Sequence, residues 1–193
     1  MDGGGYPAST VPVESGGVWQ PRHARRKRNP VRYTVLGVVA VVVLLVLVAA
    51  VFVKGNYAAY RVASSSGAPT LQPGDQIVVK KGNSGIHRGD LILFADSELP
   101  ATSVKRVVGV GGDKISEISG RLVVNGIPAK EPYLAPGTLT TDVADLTVPP
   151  GQVYVLGDNR GDSKDSRSIG PVPLSGVKGR IVLRIRSGRT HVL

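Results

Sequence analysis

Ser103-Val104-Lys105-Arg106-Val107-Val108 is valine-rich and reads as a β-strand. Side chains along a strand alternate between faces, so Lys105 and Val107 share one face and Val104, Arg106 and Val108 the other. The chain around it repeats this kind of segment. Asp75–Lys80, Asp90–Phe94, Gln152–Leu156 and Gly179–Arg186 are short apolar runs punctuated by Gly and Pro. Arg121-Leu122-Val123-Val124 runs into Asn125-Gly126, a dipeptide suited to the positive φ angles of a two-residue hairpin turn. After Lys54 no helical period emerges, and Pro132 to Pro150 reads as a long Pro-, Gly- and Thr-rich excursion between strands. The expected fold is mainly β.

Upstream, Tyr33 to Val53 carries no charge. About 21 residues make a helix of ~31 Å, the hydrocarbon thickness of a bilayer. Its valines are poor helix formers in water, but a bilayer forces the backbone to satisfy itself and overrides that preference. A cleaved secretory signal would have a shorter apolar core and an Ala-x-Ala-like exit; here Ala49-Ala50 leads only into Val51-Phe52-Val53-Lys54. The expected organisation is a disordered basic tail over 1–32, a transmembrane helix over 33–53 and a β-rich domain over 54–193. The net charge is +10. Arg22, Arg25, Arg26, Lys27, Arg28 and Arg32 abut the span, which favours retention of the N-terminus in the cytoplasm over a nucleic-acid-binding arm. A single-pass protein of the cell membrane with its domain outside is expected. The absence of cysteine rules out disulfides, thiolate nucleophiles and cysteine zinc sites.

Ala63-Ser64-Ser65-Ser66-Gly67-Ala68-Pro69-Thr70-Leu71-Gln72-Pro73-Gly74-Asp75 reads either as a linker or as a turn where small residues let a peptide approach free backbone N–H groups. A serine nucleophile needs a base. His23 falls in the cytoplasmic tail, and His87 and His191 read as solvated. A neutral lysine is the other recorded partner for serine. Burial among valines would strip water from Lys105 and lower its ordinary pKa of ~10.4, making it a general base; an edge-strand lysine that discourages aggregation is the rival reading. The cluster Gly157-Asp158-Asn159-Arg160-Gly161-Asp162-Ser163-Lys164-Asp165-Ser166-Arg167 is either a solvated loop or one buttressed by bidentate Asp–Arg pairs. It misses the calcium-loop spacing, with Ile169 where a bidentate Glu belongs. Gly109-Val110-Gly111-Gly112 lacks the spacing of a dinucleotide fingerprint. No cofactor or metal is expected.

These segments, in this order behind a membrane span, resemble the bacterial type I signal peptidases (leader peptidases). The resemblance runs through Ser64 to Val79, Arg88 to Phe94, Val104 to Asp113 and Gly157 to Arg167. It implies an antiparallel β-sheet catalytic domain of the signal-peptidase type behind a single N-terminal transmembrane helix. It implies Ser66 as nucleophile and Lys105 as general base, Ser64 in the oxyanion hole, and Ser163 orienting the Lys105 amine. Asp158, Asp165 and Arg167 would brace the loop. The implied activity is membrane-anchored serine endopeptidase cleavage of signal peptides from exported preproteins through an acyl-enzyme, in contact with the lipid bilayer and near the secretion translocon. Departures stand at three positions. Gly67 occupies a place usually held by methionine, Ser65 one usually held by glycine, and Gly111 replaces a frequent proline. The alternative that Gly67 raises is a catalytically weak or inactive relative that acts by binding.

Overall fold

The computed structural model describes residues 1, 30–97, 99 and 102–193, so the expected tail falls almost wholly outside the described residues. The chain divides into two units, Met1–Leu44 and Leu45–Leu193. Helix α1 spans Pro30–Asn56, three residues beyond the expected span at each end. Loss of hydrophobicity at Lys54 does not stop a helix whose terminal carbonyls find donors. Asn56 Nδ2 donates to Phe52 O at 2.8 Å, and Lys81 Nζ to Lys54 O at 3.0 Å. The β-rich region therefore begins at Tyr57 rather than at residue 54. From Val31 the helix is long and apolar enough to cross a membrane, and its apolar side chains are exposed.

The strands are β1 Tyr57–Arg61, β2 Gln76–Lys81, β3 Leu91–Phe94, β4 Ser103–Val110, β5 Lys114–Ile118, β6 Arg121–Val124, β7 Ile127–Pro128, β8 Leu146–Thr147, β9 Gln152–Leu156, β10 Val172–Pro173, β11 Val177–Arg186 and β12 Arg189–Val192. A short helix α2, Ser166–Ile169, follows the Gly157–Asp165 loop. All pairings are antiparallel. The larger sheet runs β1-β2-β11-β3-β4-β9-β10, with β12 also on β11; the smaller runs β7-β6-β5-β8. At the β6–β7 turn Asn125 and Gly126 take φ of 54° and 79°, the geometry their sequence favours.

Strand β4 lies between β3 and β9, so Lys105 is in the sheet interior and the edge-strand reading falls. Its cross-strand neighbour is Ile92, and Val107 pairs with Val155. Ile92, Phe94, Val107, Val153 and Val155 are fully buried in one cluster. Burying such side chains stabilises the sheet by roughly 1.5–3 kcal/mol each, enough to hold the β4 backbone firmly beneath the lysine.

Candidate active site

The Ser64–Ser66 segment leaves the sheet after β1 and is fastened at both ends. Ala68 N donates to Ser65 O at 2.9 Å and Leu71 N to Gly67 O at 2.7 Å, closing a tight turn over residues 66–70. Arg184 Nη1 and Arg186 Nη2 donate to Thr70 O at 2.6 and 3.3 Å. Arg186 also grips Asp75 through Nη2 at 2.6 Å and Nε at 2.8 Å. This pairing lowers the Asp75 pKa below the usual carboxylate value. Ser66 is buried, and its hydroxyl lies 3.2 Å from that of Ser64. On the loop side, Asn159 N donates to Ser66 O at 3.0 Å, Asn159 Nδ2 to Ser65 O at 3.4 Å, and Ser65 Oγ to Asp162.

The Gly157–Arg167 loop is the buttressed form of the two readings. Asp165 accepts from Gly157 N at 2.9 Å and from Arg167 Nε at 2.9 Å and Nη2 at 3.0 Å, and caps α2 at Arg167 N. Asp158 is held by Arg106 Nε at 2.9 Å and Nη2 at 2.7 Å. Charge-assisted pairs of this geometry fix orientation as well as position. Arg106 also donates to Gly89 O at 2.8 Å and to Thr70 Oγ1 at 3.3 Å. It thereby joins β4, the loop and the Ser66 turn.

Lys105 is only 5% exposed. Its pKa is lowered, first by burial and also by Arg167, against the opposing fields of Asp165 and Asp162. Among the described residues no carboxylate lies within ion-pair distance of it, whereas Arg106, Arg160 and Arg167 each have one. Arg106, the neighbour of Lys105 in β4, pairs with Leu156 across β4 and β9, and Gly157 follows Leu156 directly. A Cβ on Gly157 would stand 2.2 Å from Ser163 Oγ and 2.7 Å from Ser66 O. Ser163 Oγ itself is buried, and its hydroxyl is among the groups that lower the Asp165 pKa. Two of the sequence-derived residues, Ser66 and Ser163, thus meet around one glycine, with Ser64 beside Ser66, while Lys105 lies next to Arg106, whose partner Leu156 leads into that glycine. Asp158, Asp165 and Arg167 form the frame behind them.

Sequence reasoning missed Arg106, Thr70, Asp75, Arg184 and Arg186 as parts of this frame. The available signal was Arg106 on the strand face opposite Lys105, where a buried guanidinium needs a carboxylate. Gly67 is buried, and a Cβ there would meet Leu71 Cβ at 3.1 Å; Leu71 packs against the place where a larger side chain would start. A cavity of about 430 Å³ bounded by Arg88, Val108, Leu122, Val124, Ala129 and Tyr133 is formed by other residues and includes none of these serines or Lys105.

Residues 33–186 match the family model described as signal peptidase, peptidase S26. Signal peptidase I of Bacillus caldolyticus is 38% identical over 160 residues, covering 75% of this chain and 86% of the relative. Signal peptidase I U of Bacillus subtilis (strain 168) is 33% identical over 155 residues, covering 75% and 81%. A signal peptidase I structure from Enterococcus faecalis V583 aligns with 50% of this chain and 97% of that one, at 28% identity and a TM-score of 0.43. The chain therefore belongs to the signal peptidase family, peptidase S26, among the bacterial type I enzymes.

Proposed function

We propose that this signal peptidase cleaves its precursors with a Ser66–Lys105 dyad. The observation that supports the reading is a buried lysine with its pKa lowered, on the strand whose Arg106–Leu156 pair leads into Gly157, where Ser66 and Ser163 abut. Lys105 Nζ, neutral, takes the proton from Ser66 Oγ as the oxygen attacks the scissile carbonyl carbon. The negative charge on the carbonyl oxygen meets the Ser64 hydroxyl and the Ser66 backbone N–H. As the tetrahedral intermediate collapses, the C–N bond breaks and the ammonium of Lys105 gives its proton to the leaving amine. Lys105 then removes a proton from water, which attacks the ester; as the C–O bond to Ser66 breaks, the ammonium returns that proton to Ser66 Oγ and the signal peptide leaves with its new carboxyl group.

The Ser163 hydroxyl, its proton turned to Asp165, accepts a hydrogen bond from the amine and holds it towards Ser66; its burial and its place against Gly157 support that role. The substrates are signal peptides of exported preproteins. The proposed topology has α1 in the lipid bilayer, the N-terminus in the cytoplasm and the β region outside, near the secretion translocon. Shared residence in the membrane raises the effective concentration of precursor without a new contact. Ser66→Ala and Lys105→Ala should each abolish processing of a purified preprotein by the full chain. Substantial cleavage by either variant would falsify the dyad. Absence of cleavage by the unaltered chain, together with failure of a β-lactam-type acylating inhibitor to label Ser66, would instead identify a silent binding protein.

A further inference from the structure

The excursion between β7 and β8 folds back onto the frame of the site. Arg160 is buried at 3% exposure. Its Nε donates to Gly157 O at 3.0 Å, and its two Nη atoms reach the Glu131 carboxylate, Nη1 at 3.2 Å from Oε2 and Nη2 on Oε1. Tyr133 OH donates to the same Glu131 Oε1 at 2.7 Å. Burial, with Glu131 beside it, raises the Tyr133 pKa and keeps the phenol a donor. The face of the Tyr133 ring carries the Arg106 guanidinium, 3.9 Å from the centroid. Contacts therefore run from Thr70 through Arg106, Tyr133, Glu131 and Arg160 to Gly157, the residue against which Ser66 and Ser163 abut.

A buried guanidinium is costly unless it is paired, so Arg160 keeps its Nε on Gly157 only while a carboxylate neutralises it. We infer that Glu131, supported by Tyr133, is a positioning residue for the hydrolysis, setting the Gly157 carbonyl and thereby the spacing of Ser66, Ser163 and Lys105. The inference rests on the Ser66–Lys105 reading. Glu131 touches no reacting atom, so its removal acts on the rate of the chemical steps and not on capture of the peptide. Small displacements of this kind cost on the order of 100-fold in rate.

The test compares the full chain with Glu131→Gln, Tyr133→Phe and the double variant Glu131→Gln/Arg160→Met, measuring kcat, KM and thermal midpoint on one signal-peptide substrate. Glu131→Gln should lower kcat at least tenfold with KM within about twofold. Tyr133→Phe, which keeps the stacked ring, should lower kcat about threefold. The double variant removes the lone buried charge and should recover the thermal midpoint while kcat stays low, because Gly157 O still lacks its donor. Recovery of kcat together with the midpoint would reduce Glu131 to a stability role and overturn the inference. So would wild-type kcat in a folded Glu131→Gln; if that variant does not fold, wild-type kcat in Tyr133→Phe overturns it equally. Cleavage surviving in Ser66→Ala would sink the underlying dyad instead, whereas an inactive Ser66→Ala beside a fully active Glu131→Gln sinks this inference alone.

Discussion

Lys105 carries the cost of the site and offers the most direct measurement of it. Its folded pKa lies below its ordinary 10.5, with burial the main cause. The unfolded chain therefore binds more protons in the window between the two values, and stability must rise with pH across it. Below the folded pKa the protein carries a charged lysine in an apolar setting; above 10.5 neither state is charged and the cost is gone. Lys105→Met should accordingly unfold at a higher temperature than the parent at pH 7, with the margin shrinking as pH approaches 10.5, while being inactive. The same lysine should place the acid limb of kcat/KM for the parent below 10.5; a limb at the ordinary lysine value would contradict a desolvated base. This residue was legible in part: strand alternation and valine neighbours made burial one of two readings, and only the strand order, with β4 between β3 and β9, excludes an edge lysine. Gly157 was not. Before a polar cluster a glycine reads as a turn, and the reason for it is the close approach of Ser66 and Ser163, contacts that depend on how strands distant in sequence are ordered.

At the scale of elements, the turn bearing Ser66 is held by β11, the long strand that also pairs with β2 and β3. Arg186 is the main fastening, gripping Asp75, whose side chain is 3% exposed, while its own is 29% exposed. Removing one member of a buried pair strands the other; discounted for the partly wet arginine, Arg186→Ala should cost about 2 kcal/mol near neutral pH. Because the Asp75 pKa is lowered in the fold, the pair's contribution is full above ~3.9, the ordinary carboxylate value, and is lost as pH falls through the depressed one. Denaturant unfolding between about pH 3 and 7 should therefore show the parent losing its advantage over Arg186→Ala on acidification; a gap independent of pH would mean that packing, not charge, does the fastening. The β6–β7 hairpin and β9 could be read in advance because turn chemistry and apolar runs are local. β5 could not, since Ile115 and Ile118 stand three apart and fit neither strand alternation nor a full helical stripe. β1 was hidden for another reason: Tyr57 and Ala58 are half-buried and Ala59 and Tyr60 exposed, and only its ladder with β2 makes it a strand.

For the whole molecule, charge predicts on which side of a membrane each end lies. Helix α1, of 27 residues, would be about 40 Å long, more than the ~30 Å hydrocarbon core, so a bilayer can be crossed with some tilt. On the positive-inside rule the basic run before it resists transfer, which predicts a cytoplasmic N-terminus and a site outside. The chain contains no cysteine, which makes it a clean background for thiol labelling. Ser84, exposed after β2, replaced as Ser84→Cys, should react with a membrane-impermeant maleimide on intact cells, and Ser15→Cys only after permeabilisation. Ser84 stands well away from the dyad in sequence and Ser15 precedes the helix, so both variants should keep wild-type cleavage and report the native arrangement. The opposite labelling pattern would put the lysine and the serine on the cytoplasmic side, where an exported precursor has not yet crossed. It would leave the chemistry of the site intact while removing the physical reason for anchoring it where signal peptides emerge.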